Sequence, residues 1–179
     1  SFTFQGGNNK GHFFASINYA NNDGIVRGDK DVYKRLSAQL NADYKLYDWI
    51  TVGTNTSIER YHTKSVSQQG RYGNLMNGVM TIDPLTPVYY SDPSQFATTM
   101  LAAYNEGKNI LKDPTNGLYY ATSKYIDDDN GNPLLQRDKT DSYNQGINLR
   151  GTLYANITPF KGLAFTSRFG YRVGQSNSH

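Results

Sequence analysis

The chain has 179 residues and no cysteine, so disulfides and thiolate metal sites are excluded. It also lacks any run of about 18 apolar residues, and its mean hydropathy of -0.67 leaves no room for a membrane-spanning helix. A strong charge of one sign is missing too. Its 18 basic residues are scattered among 15 acidic ones, for a formal charge of +3, which argues against a nucleic-acid-binding stripe. Histidine is scarce: His12, His62 and His179 stand apart, none in a local motif with a nucleophile or a metal-ligand partner. Catalysis is therefore not expected, and no cofactor is called for. Ser1 follows no charged leader and apolar signal core, so the expectation is a processed chain or a piece of a longer protein.

Aromatic residues, by contrast, reach 13%, with 15 tyrosines, although hydrophobic residues make up only 37%. The arrangement of these residues is the main signal. From Tyr33 to Leu46, Leu36, Ala38, Leu40, Ala42, Tyr44 and Leu46 share one parity, while Arg35, Ser37, Gln39, Asn41, Asp43 and Lys45 share the other. Side chains of a strand alternate between faces, so this segment has one apolar and one polar face. It is too long for an ordinary strand of about 5–6 residues, but it suits a tilted strand crossing a bilayer, which needs about 9–11.

The pattern recurs. Phe13, Ala15, Ile17 and Tyr19 share a parity, as do Ile50, Val52, Thr54, Thr56 and Ile58. So do Ile147, Leu149, Gly151, Leu153, Ala155 and Ile157, and then Leu163, Phe165, Ser167, Phe169, Tyr171 and Val173. Strands are expected at about 11–20, 33–46, 49–61, 142–157 and 162–174, with Ser1–Gln5 as the tail of another. Short turns at Gly6–Lys10, around Tyr47–Trp49 and at Thr158–Gly162 alternate with longer links, as tight periplasmic turns alternate with long extracellular loops in outer-membrane barrels. The fold class expected is all-β: an antiparallel up-and-down meander forming an arc of a large transmembrane barrel. Five or six strands cannot close one, because the smallest membrane barrels need about eight.

The longest link, about 62–141, is too long to lack structure of its own. Two short helices are expected in it. Leu75, Met76, Val79 and Met80 have helical spacing before Pro84; Asp92 can cap a second helix with Pro93 in its first turn, Phe96, Met100 and Tyr104 as its stripe and Gly107 at its end.

Candidate sites sit in the same loop. Tyr89-Tyr90 and Tyr119-Tyr120 could stack on sugar rings, although packing inside the loop is the preferred reading. Asp127, Asp128 and Asp129 suggest calcium, but the EF-hand pattern fails: counting from Gly131 puts Ile126 first and Arg137 at the bidentate position. A solvated acidic turn is preferred, and no metal is called for. Tyr47 and Trp49 read as interfacial belt residues, while Arg35, Asp43, Lys45, Glu59, Arg150, Arg168 and Arg172 would line a lumen.

Several pieces in order carry a further resemblance: Gly6-Gly7-Asn8-Asn9-Lys10-Gly11-His12-Phe13-Phe14-Ala15-Ser16-Ile17-Asn18-Tyr19, Asp23-Gly24-Ile25, the Arg35…Asn41 strand and Trp49-Ile50-Thr51-Val52-Gly53-Thr54-Asn55. They continue in Asp83-Pro84-Leu85-Thr86-Pro87-Val88-Tyr89, Asn132-Pro133-Leu134, Gly151-Thr152-Leu153-Tyr154-Ala155-Asn156 and Gly162-Leu163-Ala164-Phe165. The series resembles the SusC/RagA-like group of TonB-dependent outer-membrane transporters of Bacteroidetes. That resemblance implies a large barrel with an internal plug, outer-membrane lipid around it, energy from TonB through a plug region absent here, a SusD-like lipoprotein partner and an oligosaccharide or peptide cargo. The alternatives are a soluble β-rich glycan-binding module and a passive porin wall.

Overall fold

The computed structural model describes residues 1–67, 74–126 and 131–179. Along the chain run β1 (Phe2–Asn8), β2 (Gly11–Asp23), β3 (Val32–Tyr47), β4 (Ile50–Lys64), α1 (Leu75–Thr81), β5 (Tyr89–Tyr90), a 3-10 turn (Pro93–Gln95), α2 (Thr98–Asn105), β6 (Tyr119–Tyr120), α3 (Pro133–Lys139), β7 (Tyr143–Phe160) and β8 (Leu163–Ser178). They divide into two compact units. The first comprises Ser1–Ile25, Asp31–Lys64 and Tyr143–His179; the second comprises Val26–Lys30 and Ser65–Ser142.

The first unit is one antiparallel sheet in the order β1-β2-β3-β4-β7-β8, each strand paired with its chain neighbour once the second unit is set aside. Local chemistry sets its turns. At Asn9-Lys10 the Asn8 side chain accepts from the backbone N–H of Lys10 (2.8 Å) and of Gly11 (3.1 Å), an Asx turn that reverses the chain. At Asp48-Trp49, Lys45 reaches back to Asp48 at 2.9 Å, and Tyr47 stacks on Trp49 with ring centroids 6.0 Å apart. At Lys161-Gly162 the turn needs a left-handed residue, and Gly162 supplies it at φ 97°. Register shifts fall only beside the last two of these turns, between Lys45 and Tyr47 and between Ile157 and Phe160. Parity therefore holds along the body of every strand. The strands run longer than their alternation alone suggests: β2 continues to Asp23 and β7 and β8 to Phe160 and Ser178.

The second unit holds every buried apolar residue among those described. Tyr90, Phe96, Ala97, Met100 and Ala121 form one cluster, and Val26, Val66 and Leu75 another. Among the described residues it has three short helices where two are expected. Helix α1 follows its sequence signal, capped by Asn74, whose Oδ1 accepts from the backbone N–H of Asn77 at 2.8 Å. The second signal splits. Asp92 and Gln95 close a capping box on the 3-10 turn, Phe96 and Ala97 are extended, and α2 starts at Thr98. Burying Phe96 and Ala97 in the cluster takes them out of helical geometry. The third helix, α3, starts with Asn132 as cap and Pro133 in its first turn.

Candidate functional site

The sheet's chemistry lies in the separation of its two faces. Strand register carries the apolar parity across all six strands: Phe2 opposes Ile17, Ile17 opposes Ala38, Ala38 opposes Ile58, Ile58 opposes Leu149 and Leu149 opposes Val173. A lower row repeats this through Tyr44, Val52, Ala155 and Ser167. No side chain of this face is buried among the described residues; Leu153 remains 49% exposed, Ile17 48% and Phe169 66%. In a sandwich such a face would instead interdigitate with that of a second sheet. An apolar surface of this extent demands an apolar neighbour.

Its height suits a bilayer. From Ile147 to Ile157, ten residues of rise make about 34 Å along the strand, or about 26 Å once tilted by about 40°, against an outer-membrane apolar band of about 25 Å. Tyr47 and Trp49 lie at the short-turn end of this band, about half exposed, as belt residues would.

The opposite face is polar. His12 Nδ1 lies 3.3 Å from Asp43 Oδ2. Glu59 accepts from Asn148 Nδ2 at 3.0 Å and sits 3.6 Å from Arg150. Arg150 is directly opposite Arg172, a like-charge pair, and among the described residues Arg172 and Arg168 have no ion-pair partner. Tyrosine rings lie over cross-strand glycines on this face: Tyr154 on Gly53 and Tyr61 on Gly146. Such pairs pin register, because the ring fills the space the glycine leaves. Polar side chains, small ion pairs and tyrosine hydroxyls make this a wettable wall.

The four candidate tyrosines come together in the second unit. Strands β5 and β6 pair Tyr89 with Tyr120 and Tyr90 with Tyr119. Tyr90 and Tyr120 are buried, and Phe96 meets Tyr119 edge-on at 4.9 Å. Three hydroxyls donate inside the unit: Tyr89 to Asp113 (2.5 Å), Tyr90 to the carbonyl of Thr122 (2.8 Å) and Tyr120 to Asp138 (2.6 Å). Tyr119 instead lies under the ammonium of Lys112, 4.5 Å from its centroid. The Tyr89 hydroxyl, with the backbone N–H of Thr115, holds the Asp113 carboxyl below its usual range, and the carboxylate in turn raises the phenol. Burial raises Tyr90, and burial with the Asp138 hydrogen bond raises Tyr120. These phenols therefore stay protonated and act as donors.

The residue that joins the two tyrosine strands is Asn132, which is 2% exposed. Its Nδ2 donates to the carbonyls of Val88 (2.8 Å) and Ala121 (3.0 Å), while its Oδ1 caps α3 at the N–H of Leu134 (2.9 Å). Asn132 carries a resemblance in the sequence but no role there, and neither Asp113 nor Asp138 stands out as a hydroxyl acceptor; the signal for the first is the Asn-Pro pair that opens α3. Sequence reading also passed over Lys34 and Arg60, two cations that interrupt the apolar parity of β3 and β4.

Asp127, Asp128 and Asp129 lie outside the described residues. Among the described residues no group of three or more His, Cys, Asp or Glu could hold a metal ion. The histidines stay apart from any nucleophile: His62 stacks on Tyr143 at 6.1 Å and Tyr143 on His179 at 5.8 Å. No helix is long and apolar enough to cross a membrane, which says nothing about crossing by strands.

The class this geometry defines is an antiparallel meander with one apolar and one polar face, an arc of β-barrel wall. Comparison with known proteins is consistent with that class. No family model and no curated protein matches the sequence. Solved structures do match. The chain is similar to a RagAB peptide importer in its closed-closed state (18% identity, TM-score 0.62) and in its open-open state (21%, 0.63), each over 98% of this chain and 17% of that one. A RagAB peptide transporter matches over the same shares at 20% identity and a TM-score of 0.61. At this identity the likeness is one of fold, and the chain spans 17% of the length of the structures it matches.

Proposed function

We propose that this chain is a wall segment of a SusC/RagA-like outer-membrane importer. In that reading the apolar face meets lipid, the polar face lines the lumen, and the second unit sits on the extracellular side. A plug region outside this chain would couple the barrel to TonB, and a SusD-like lipoprotein would deliver cargo. The segment itself has no catalytic role. One observation carries the reading: the apolar parity stays in register across six strands, and among the described residues none of its side chains is buried. A soluble glycan-binding sandwich would bury that face against a second sheet. The RagAB likeness makes peptide the first cargo to test and oligosaccharide the second.

The test is uptake of labelled peptide and oligosaccharide mixtures by cells with and without the full-length gene, before and after a protonophore. Gene-dependent peptide uptake that stops with the protonophore is the expected result. Uptake that continues without an energised inner membrane would favour the passive porin, and a protein recovered from the aqueous phase would favour the soluble module.

A further inference from the structure

At the long-link end of the sheet the apolar face stops abruptly at two cations. Lys34 on β3 and Arg60 on β4 hold positions of apolar parity, one rung beyond Leu36 and Ile58. Register makes them diagonal neighbours: Arg60 is directly opposite Leu36, and Lys34 is opposite His62. Both are exposed, and among the described residues neither has an ion-pair partner; Asn21 is the β2 residue opposite Lys34, and Asp23, one rung further on opposite Val32, pairs with neither. Two like charges this close repel each other unless an anion joins them.

The ground beside them is shaped. Arg60, Gln145, Ile147, Gln175 and Asn177 line a hollow of about 280 Å³ on the same face. Arg60 lies opposite Ile147, which in turn lies opposite Gln175, so one guanidinium and three side-chain amides surround the last apolar rung. Below it the face is Leu149, Val173 and Ile58. A cationic, donor-rich hollow directly above hydrocarbon-facing side chains has the chemistry of an amphiphile's headgroup seat. An unpaired guanidinium also fixes the level, because it is costly at mid-bilayer and nearly free at the interface.

We propose that Lys34 and Arg60, with Gln145, Gln175 and Asn177, form a seat for the phosphate headgroup of an outer-leaflet lipid whose chains lie along the apolar face. A phosphate monoester carries close to two negative charges and three acceptor oxygens, which matches two adjacent cations and the amide donors better than a single carboxylate does. The inference rests on the lipid-facing reading of this face.

The experiment uses the full-length protein in mixed micelles, with bound lipid counted by native mass spectrometry. Phosphatidic acid, a bare phosphate monoester on two acyl chains, is compared with phosphatidylcholine, and inorganic phosphate is the competitor. Wild type should retain phosphatidic acid preferentially, and Lys34→Gln with Arg60→Gln should weaken that retention about thirtyfold, about fivefold per cation. Glutamine keeps a polar, amide-bearing side chain and drops the charge, and heat-modifiable gel mobility verifies that the variant barrel is folded. Equal retention of both lipids, or an unchanged double variant, would overturn the proposal; so would full displacement by inorganic phosphate, which would mark a free-anion site. Flotation of the same protein with phosphatidylcholine vesicles separates the two failures. A protein that floats but ignores phosphatidic acid refutes the headgroup seat alone, whereas one that does not float refutes the lipid-facing reading beneath it.

Discussion

Replacing Leu153 by Arg tests the lipid-facing reading where it is most exposed to failure. Leu153 lies on β7 opposite Thr54 on one side and Phe169 on the other, well inside the apolar span from Ile147 to Ile157. Its side chain is 49% exposed and makes no core contact. On a soluble surface such a residue accepts arginine within about 0.5 kcal/mol. Near the bilayer midplane the same change costs about 2–4 kcal/mol, or one and a half to three orders of magnitude in the folding equilibrium. Asn55→Arg is the matched control: Asn55 is directly opposite Thr152, one residue from Leu153 on the other face, and Asp43 is a diagonal neighbour that welcomes a cation. The assay is folding of the full-length protein into phosphatidylcholine vesicles along a guanidinium gradient, read by heat-modifiable gel mobility. Leu153→Arg should lower the midpoint strongly and Asn55→Arg hardly at all. Equal costs for the two variants would refute the assignment of faces.

Other perturbations address the second unit and the register. Asn132→Ala removes the α3 cap and leaves the carbonyl of Ala121 without its side-chain donor, while that of Val88 keeps the backbone N–H of Ala121, so the second unit should lose about 2 kcal/mol locally, measured by hydrogen exchange of the β5 and β6 amides. Gly146→Ala should destabilise by about 1–3 kcal/mol, because a Cβ there meets the backbone carbonyl of Gln175 at 2.6 Å; Gly53→Ala should cost less, since only the swinging tip of Tyr154 stands in the way. Thermal unfolding of the two variants gives the order. Asp113 has a lowered folded pKa, so its contribution is complete above the unfolded value of about 4 and is lost as pH falls through the folded one. Proteolysis of the second unit should therefore accelerate below about pH 4, and Asp113→Asn should start from the fast rate and respond less to pH.

Much of the sheet was legible because one apolar and one polar face impose a period of two, and a strand displays that period one residue at a time. Leu36 to Leu46 needed no partner strand to be read, and its register partners then repeated the same faces. The ends of strands were less legible. Residues 174–178 of β8 are polar or glycine and carry no alternation; they are strand because β7 pairs with them. The second unit was hardest, since its order comes from contacts between distant residues. The helix drawn from Asp92 to Gly107 broke at Phe96 because tertiary burial overrode the local signal. Nothing in the composition of Tyr89-Tyr90 or Tyr119-Tyr120 announces that they pair, and the carboxylates that receive two of their hydroxyls lie 24 and 18 residues away.

The most direct measurement is a single-cysteine spin-label scan of β7 from Ile147 to Ile157 in the membrane-embedded full-length protein. Collision with oxygen, enriched in lipid, and with a charged nickel chelate, confined to water, would be read at each position. The account predicts opposite oscillations of period two, with oxygen maxima at Leu149, Gly151, Leu153 and Ala155 and chelate maxima at Asn148, Arg150, Thr152 and Tyr154. A scan without that period, or with the two phases exchanged, would contradict it.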